Sequence, residues 1–171
     1  MNQSAITIRR YQAGEEPSIQ KLVAKIMQEE FGDSSSAYPT EDLQRLPASY
    51  GALGEAFFVA VDGKRIIGTV GIKKEDDRVA LMRRLFVDRE YRKRKIGMQL
   101  MDRAIHFCQE VGYSELIFKT TSAMHRAIEI CQKRGFVQRA KVPLGSLELL
   151  KFSFHLNHNS THSAKAGKQA A

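Results

Sequence analysis

The stretch Leu85-Phe86-Val87-Asp88-Arg89-Glu90-Tyr91-Arg92-Lys93-Arg94-Lys95-Ile96-Gly97-Met98-Gln99-Leu100 decides how the chain folds. It leaves an apolar strand, crosses a strongly basic loop and enters an amphipathic helix. Ile96, Leu100, Met101, Ala104, Ile105 and Cys108 recur at helical spacing, which predicts a helix opening near Lys95-Ile96-Gly97. Gly112, after Val111, supplies the C-terminal stop. The first backbone N–H groups of such a helix lack intrahelical partners, and the helix dipole adds partial positive charge there. Arg92, Lys93, Arg94 and Lys95 crowd the same loop. Phosphate is the natural guest of such a site; the plain alternative is a solvated basic loop.

Upstream, Val79–Val87 reads as the strand that feeds the loop, and its Arg83-Arg84 pair must send one side chain to each face. One of the two should meet a partner charge or the cleft, because an unpaired buried arginine is costly. Phe57–Val61 and Arg65–Ile72 flank Asp62-Gly63-Lys64 and predict a β-hairpin. Their near-continuous apolarity predicts cover on both faces. At the start of the chain, Ile6–Arg10 alternates like a strand. Pro17 then suits the first turn of a helix whose apolar face is Ile19, Leu22, Val23, Ile26 and Met27. Gly32-Asp33-Ser34-Ser35-Ser36 predicts a loop, and Thr40-Glu41-Asp42-Leu43 a short helix ending near Pro47. Residues 32–54 are the segment expected to form the acceptor side of any active site.

Downstream, Ser114–Thr120 predicts a strand, so strand, helix and strand make a parallel crossover. Met124, Ala127, Ile128 and Cys131 stripe a further helix that Gly135 stops. Leu150, Phe152, Phe154 and Leu156 alternate in a last strand, after a turn expected at Pro143-Leu144-Gly145. Residues 157–171 hold no apolar cluster and are expected to form a disordered tail, leaving a domain over residues 1–156. His155, His158 and His162 lack a nearby cysteine or carboxylate at ligand spacing and are expected to be solvated.

A chain of 171 residues, 43% hydrophobic and 27% charged, fits one globular domain with a sizeable core. It holds no apolar run long enough for a membrane span and no signal-peptide core, so a cytoplasmic location is expected. Cys108 and Cys131 fall on apolar helix stripes and read as buried thiols. CxxC and HExxH patterns are absent, and no metal is expected. The net charge is +8, with seven basic and two acidic side chains in residues 83–95, so a polyanionic ligand is expected. No nucleic-acid-binding motif accompanies the charge, and nucleic acid is not expected as a partner.

The loop resembles the acetyl-CoA signature of the GNAT superfamily of N-acetyltransferases: Arg or Gln, two residues, Gly, one residue, then Gly or Ala. Arg92 and Gly97 fit, while Lys95 stands at the first glycine. A later family signature places Asn, Ala, Tyr and Gly-Phe where this chain has Met124, Ala127, Cys131 and Gly135-Phe136. The resemblance covers Ile6 to Leu156 and implies an α/β (α+β) fold. Its central sheet is mixed and mostly antiparallel, with one parallel strand pair at the CoA cleft and helices on both faces. It implies an enzyme that moves acetyl from acetyl-CoA to a primary amine, on a small molecule or peptide, by direct attack in a ternary complex. By the same resemblance, Leu85, Phe86 and Val87 pair with the pantetheine arm, and the Val87 N–H polarises the thioester carbonyl. Arg92, Lys93, Arg94, Lys95, Ile96, Gly97 and Met98 then hold the pyrophosphate, and Met124 is a further cofactor-binding position. Cys131 occupies the position of a tyrosine that protonates the departing thiolate in the family; it either does so here or fills the core. Glu41, Asp42, Glu55 and His125 are loose candidates for the general base. The losses at Lys95, Met124 and Cys131 also suit a catalytically impaired acyl-CoA-binding module that regulates a partner. Dimers are common in the superfamily, so a homodimer is possible.

Overall fold

The structure is a computed structural model that describes residues 5–32 and 39–157. In chain order the elements are β1 (Ile6–Arg10), α1 (Glu16–Phe31), α2 (Glu41–Gln44), α3 (Leu46–Tyr50), β2 (Ala56–Asp62), β3 (Arg65–Lys74) and β4 (Val79–Val87). A 3-10 turn over Arg89–Tyr91 leads to α4 (Ile96–Val111), β5 (Glu115–Thr121), α5 (His125–Arg134), β6 (Val137–Leu144) and β7 (Leu147–His155). The strands form one sheet in the order β1-β2-β3-β4-β5-β7-β6. Every neighbouring pair is antiparallel except β4 and β5, which are parallel because α4 carries the chain back between them.

The strand period builds two cores. On β2, Phe58 and Ala60 belong to the core shared with α4, together with Met82, Leu100, Met101, Leu116 and Phe118. Phe57, Val59 and Val61 point the other way, against Ile19, Val23, Ile26, Leu43 and Leu46 of α1, α2 and α3. This is why the hairpin reads as almost unbroken apolar sequence. The apolar face expected on the first helix is buried as a block: Ile19, Leu22, Val23, Ile26 and Met27.

Two prolines sit where they were not expected. Pro47 does not close the second helix; it lies in the first turn of α3, where a missing N–H costs no hydrogen bond. Pro143 and Leu144 are not in a turn but in β6, the sheet's edge strand, which tolerates proline. Gly145, with φ of +61°, makes the turn itself. The expected loop at Asp33–Ser36, and the tail with His158 and His162, lie outside the described residues. His155 ends β7 and is exposed. Among the described residues, no helix is long and apolar enough to cross a membrane, and no group of His, Cys, Asp and Glu side chains is placed to hold a metal.

Candidate active site

The parallel pairing of β4 and β5 is short. It joins Val79–Met82 to Glu115–Phe118 and stops. β5 continues beside β7 to Thr121, while β4 continues beside β3 to Val87. Among the described residues, one edge of β4 beyond Met82 therefore has no strand partner, and the sheet opens into a cleft. Thr120, on β5 past the end of the pairing, has a buried hydroxyl with no hydrogen-bond partner among the described residues.

A bulge coincides with the opening. Thr69 lies opposite Phe86 and Gly71 opposite Arg83, so two residues of β3 advance while β4 advances three. Arg84 absorbs the difference with φ of +56°, an uncommon conformation for a residue other than glycine. Thr69 Oγ1 donates to the Arg84 carbonyl at 2.7 Å. The Arg84 guanidinium donates to both carboxylate oxygens of Asp42, at 2.5 and 3.0 Å, and to the Pro39 carbonyl. The Tyr50 hydroxyl donates to the same Asp42 at 2.5 Å. Of the Arg83-Arg84 pair, Arg84 is the one satisfied by a buried partner, and Arg83 is exposed. Burial alone would raise the Asp42 pKa, but hydrogen bonds from Arg84 and Tyr50 outweigh it and hold the carboxyl below its usual range. Burial, then the bond to Asp42, pushes the Tyr50 hydroxyl well up. Asp42 is thus a weak base tied into structure.

The basic loop is anchored at its root by an acid. Asp88 is 1% exposed; it accepts from the Glu90 N–H at 3.1 Å and pairs with Arg65 at 3.0 Å and Lys25 at 3.5 Å. The Tyr91 hydroxyl donates to Asp62 at 2.6 Å, and the guanidiniums of Arg65 and Arg94 lie over its ring at 5.4 and 5.2 Å. Lys93 and Lys95 both take positive φ, +69° and +59°. Lys95 is the N-cap of α4 and therefore holds the left-handed conformation that a glycine adopts freely. Gly97 lies in the first turn of α4. A Cβ there would come 2.7 Å from the Ile130 Cδ1 of α5, so a side chain at this position would push the tip of Ile130 aside.

A groove of about 930 Å³ follows the cleft. Leu85, Phe86, Val87, Arg92, Lys93, Lys95, Ile96, Gly97, Met98 and Met124 all line it. Arg94 does not; it stacks on Tyr91. Cys131 does not line it either: it is fully buried in the core shared with α4, and burial pushes its thiol up to about 12. Six cationic side chains, Arg89, Arg92, Lys93, Lys95, Arg126 and Lys133, face three carboxylates, Glu29, Glu30 and Glu129. Arg92 is ion-paired with Glu30 of α1, and burial and the nearby Arg126 lower its pKa, so an incoming anion competes with Glu30 for it. Of the candidate bases, His125 lines the groove at the start of α5, Glu41 is exposed on α2, and Glu55 pairs with Lys73 at 3.3 Å.

Sequence reading had given no role to Asp88, Tyr91, Glu30 or Tyr50; it had named Asp42 only as a loose candidate base, and Arg84 only as one of a pair that should meet a partner charge or the cleft. Only Asp88 carried a local signal, an acid set among cations at a strand end. Chemically, an unpaired strand edge, a helix start with free N–H groups and a basic loop converge on one groove.

A model described as the acetyltransferase (GNAT) family matches residues 21–136. Human N-acetyltransferase 8 is 29% identical over 127 residues, 67% of this chain and 56% of that protein, so the chain spans little more than half of that relative. A GNAT-family acetyltransferase from Staphylococcus aureus Mu50 superposes with a TM-score of 0.78 at 24% identity, covering 90% of this chain and all of that one. The structure of yncA from Salmonella typhimurium with its cofactor acetyl-CoA superposes with a TM-score of 0.73 at 16% identity, covering 94% of this chain and 99% of that one.

Proposed function

The chain belongs to the GNAT acetyltransferase family, and from that premise we propose that it transfers acetyl from acetyl-CoA to a primary amine within a ternary complex. The observation that carries this reading is the divergence of β4 from β5 beyond Met82, beside the N-terminus of α4. Bound acetyl-CoA would supply an activated thioester. The free edge of β4 over Leu85, Phe86 and Val87 would pair with the pantetheine arm as an added strand does. The Val87 N–H would then polarise the thioester carbonyl. The loop from Arg92 to Met98 would hold the pyrophosphate on its backbone N–H groups, with Arg92 exchanging Glu30 for phosphate and Met124 closing the far wall. The amine nitrogen attacks from the α2–α3 side; the carbon–nitrogen bond forms as the carbon–sulfur bond breaks, and the amine loses a proton to water or to a base.

Cys131 is assigned to the core in this reading. Its sulfur is buried, and a thiol near 12 gives up its proton reluctantly. CoA thiolate leaves without an acid, so transfer does not require one. Calorimetry with acetyl-CoA tests the cleft: binding is expected to weaken for Arg92→Ala, and more so for CoA than for acetyl-pantetheine. Equal losses for the two ligands would remove Arg92 from the phosphate site. Release of free CoA thiol over a panel of amines tests turnover, and acetyl-CoA binding without any turnover would favour the regulatory module instead.

A further inference from the structure

Among the described residues, no helix of the α1–α3 side packs on β5, β7 or β6, and that part of the sheet carries a row of cations. Arg83 lies opposite Gly71, and a Cβ on Gly71 would meet the Tyr50 ring, so Arg83 projects on the face that α3 covers. Met82 projects on the other face, into the α4 core beside Phe118. Side chains alternate along a strand, so Lys119, the next residue of β5, shares the face of Arg83. Lys119 sits directly opposite Lys151 of β7. Lys151 in turn faces Ala140 of β6, where a register shift adds Arg139. Arg139 Nε donates to Ser153 Oγ at 3.1 Å, on the same face as Lys151. With paired strands about 4.8 Å apart, Lys119, Lys151 and Arg139 span about 10 Å, and Arg83 stands one residue past the last β4–β5 pair.

Like charges directly opposite one another weaken a sheet. Two neighbouring cations are neutralised: Arg84 by Asp42 and Lys73 by Glu55. Among the described residues, no carboxylate stands within ion-pair distance of Arg83, Lys119, Lys151 or Arg139. Helices α1 and α3 pack on β2, β3 and β4, and Arg83, Lys119 and Arg139 are exposed. A second copy of this chain laid on the face would set row against row. The occupant that matches the charge is an anion.

The row ends at the cleft. Arg83 is the first residue of β4 past the point where β5 departs, on the side from which an amine would approach. We propose that this row selects the acceptor: the amine belongs to a small molecule carrying free carboxylates, which Arg83, Lys119 and Lys151 hold while the nitrogen faces the cleft. The proposal rests on the acetyl-CoA reading above and names its substrate class.

The experiment measures CoA release on L-aspartate against L-asparagine and L-glutamate against L-glutamine, at saturating acetyl-CoA. The dicarboxylates are expected to lead by at least about tenfold in kcat/KM, the scale of one charge-assisted hydrogen bond. That lead should shrink as salt rises from about 0.05 to 0.5 M. Calorimetry of the same four compounds on CoA-loaded protein reads recognition without turnover. The double change Lys119→Gln with Lys151→Gln should abolish the preference through KM. It should leave acetyl-CoA affinity unchanged and the melting temperature unchanged or higher, because a like-charge pair is removed. Equal turnover of acids and amides, a preference that survives the double change, or no dicarboxylate binding to CoA-loaded protein would each overturn the proposal. Failure to bind acetyl-CoA would overturn the cleft reading and this one with it; acetyl-CoA binding without any acid preference overturns this one alone.

Discussion

Lys95 is where residue type and backbone disagree. Its φ of +59° is a left-handed conformation, which costs an L-residue roughly 1–2 kcal/mol. Glycine would remove that cost and give back part of it as freedom in the unfolded chain. Lys95→Gly is therefore expected to stabilise the protein by about 0.5–1 kcal/mol, seen as a higher urea midpoint. The sequence showed the lysine in a glycine's place, but the sign of φ depends on how the loop meets α4. Cys131 was more legible, since the stripe it shares with Met124, Ala127 and Ile128 foretold burial. Cys108 and Cys131 both hold their protons to about 12 in the folded state because they are buried, whereas an unfolded thiol ionises near about 8.5. A folded pKa raised in this way adds stability in full below the unfolded value, and the gain is lost as pH climbs toward the folded one. The unfolding free energy should thus fall between about pH 8.5 and 12, by up to about 1.4 kcal/mol per pH unit for each thiol, and the melting temperature should fall with it. Replacing either cysteine with alanine should flatten the fall. Cys131→Ala should also cost roughly 1 kcal/mol for the lost buried group while keeping more than about a tenth of wild-type turnover.

At the scale of elements, the pair Arg84–Asp42 fastens α2 to the bulge of β4. Both side chains are nearly buried, so removing the carboxylate leaves the guanidinium without its counter-charge, beside only neutral groups such as the Pro39 carbonyl and the Tyr50 hydroxyl. Asp42→Ala is expected to cost about 3 kcal/mol in chemical denaturation, and Asp42→Asn, which can still accept a hydrogen bond, less. The order of strands and helices could be read from periodicity and from glycine stops because those signals are local. The Arg84–Asp42 pair spans 42 positions and leaves no local pattern. Helix α4 was legible from its stripe, yet the clash that a Cβ on Gly97 would make with Ile130 of α5 belongs to the packing of two helices. Pro47 and Pro143 misled for a related reason: proline marks the limits of hydrogen bonding, and both a helix's first turn and a sheet's edge meet those limits.

For the molecule as a whole, the last buried residue among those described is Leu156, 5% exposed, whose N–H donates to the Ser114 carbonyl at 2.9 Å. We expect a chain truncated after Asn157 to keep the melting temperature and acetyl-CoA affinity of the full chain; a marked loss in either would place residues 158–171 in the working domain. The short parallel pairing has a further consequence. Strands β1 to β4 and strands β5, β7 and β6 are two half-sheets joined through only four residue pairs, Val79–Met82 with Glu115–Phe118. The seam is where thermal breathing should concentrate, and amide protons of β4 beyond Met82 should exchange with deuterated solvent before those of β2 or β3. A molecule lying along that seam acts as a missing strand, so its binding and the cohesion of the two halves are one equilibrium. At a ligand concentration about a hundredfold above its Kd, the gain is about 2.7 kcal/mol, and the slowing of exchange along the seam would trace the ligand's length residue by residue.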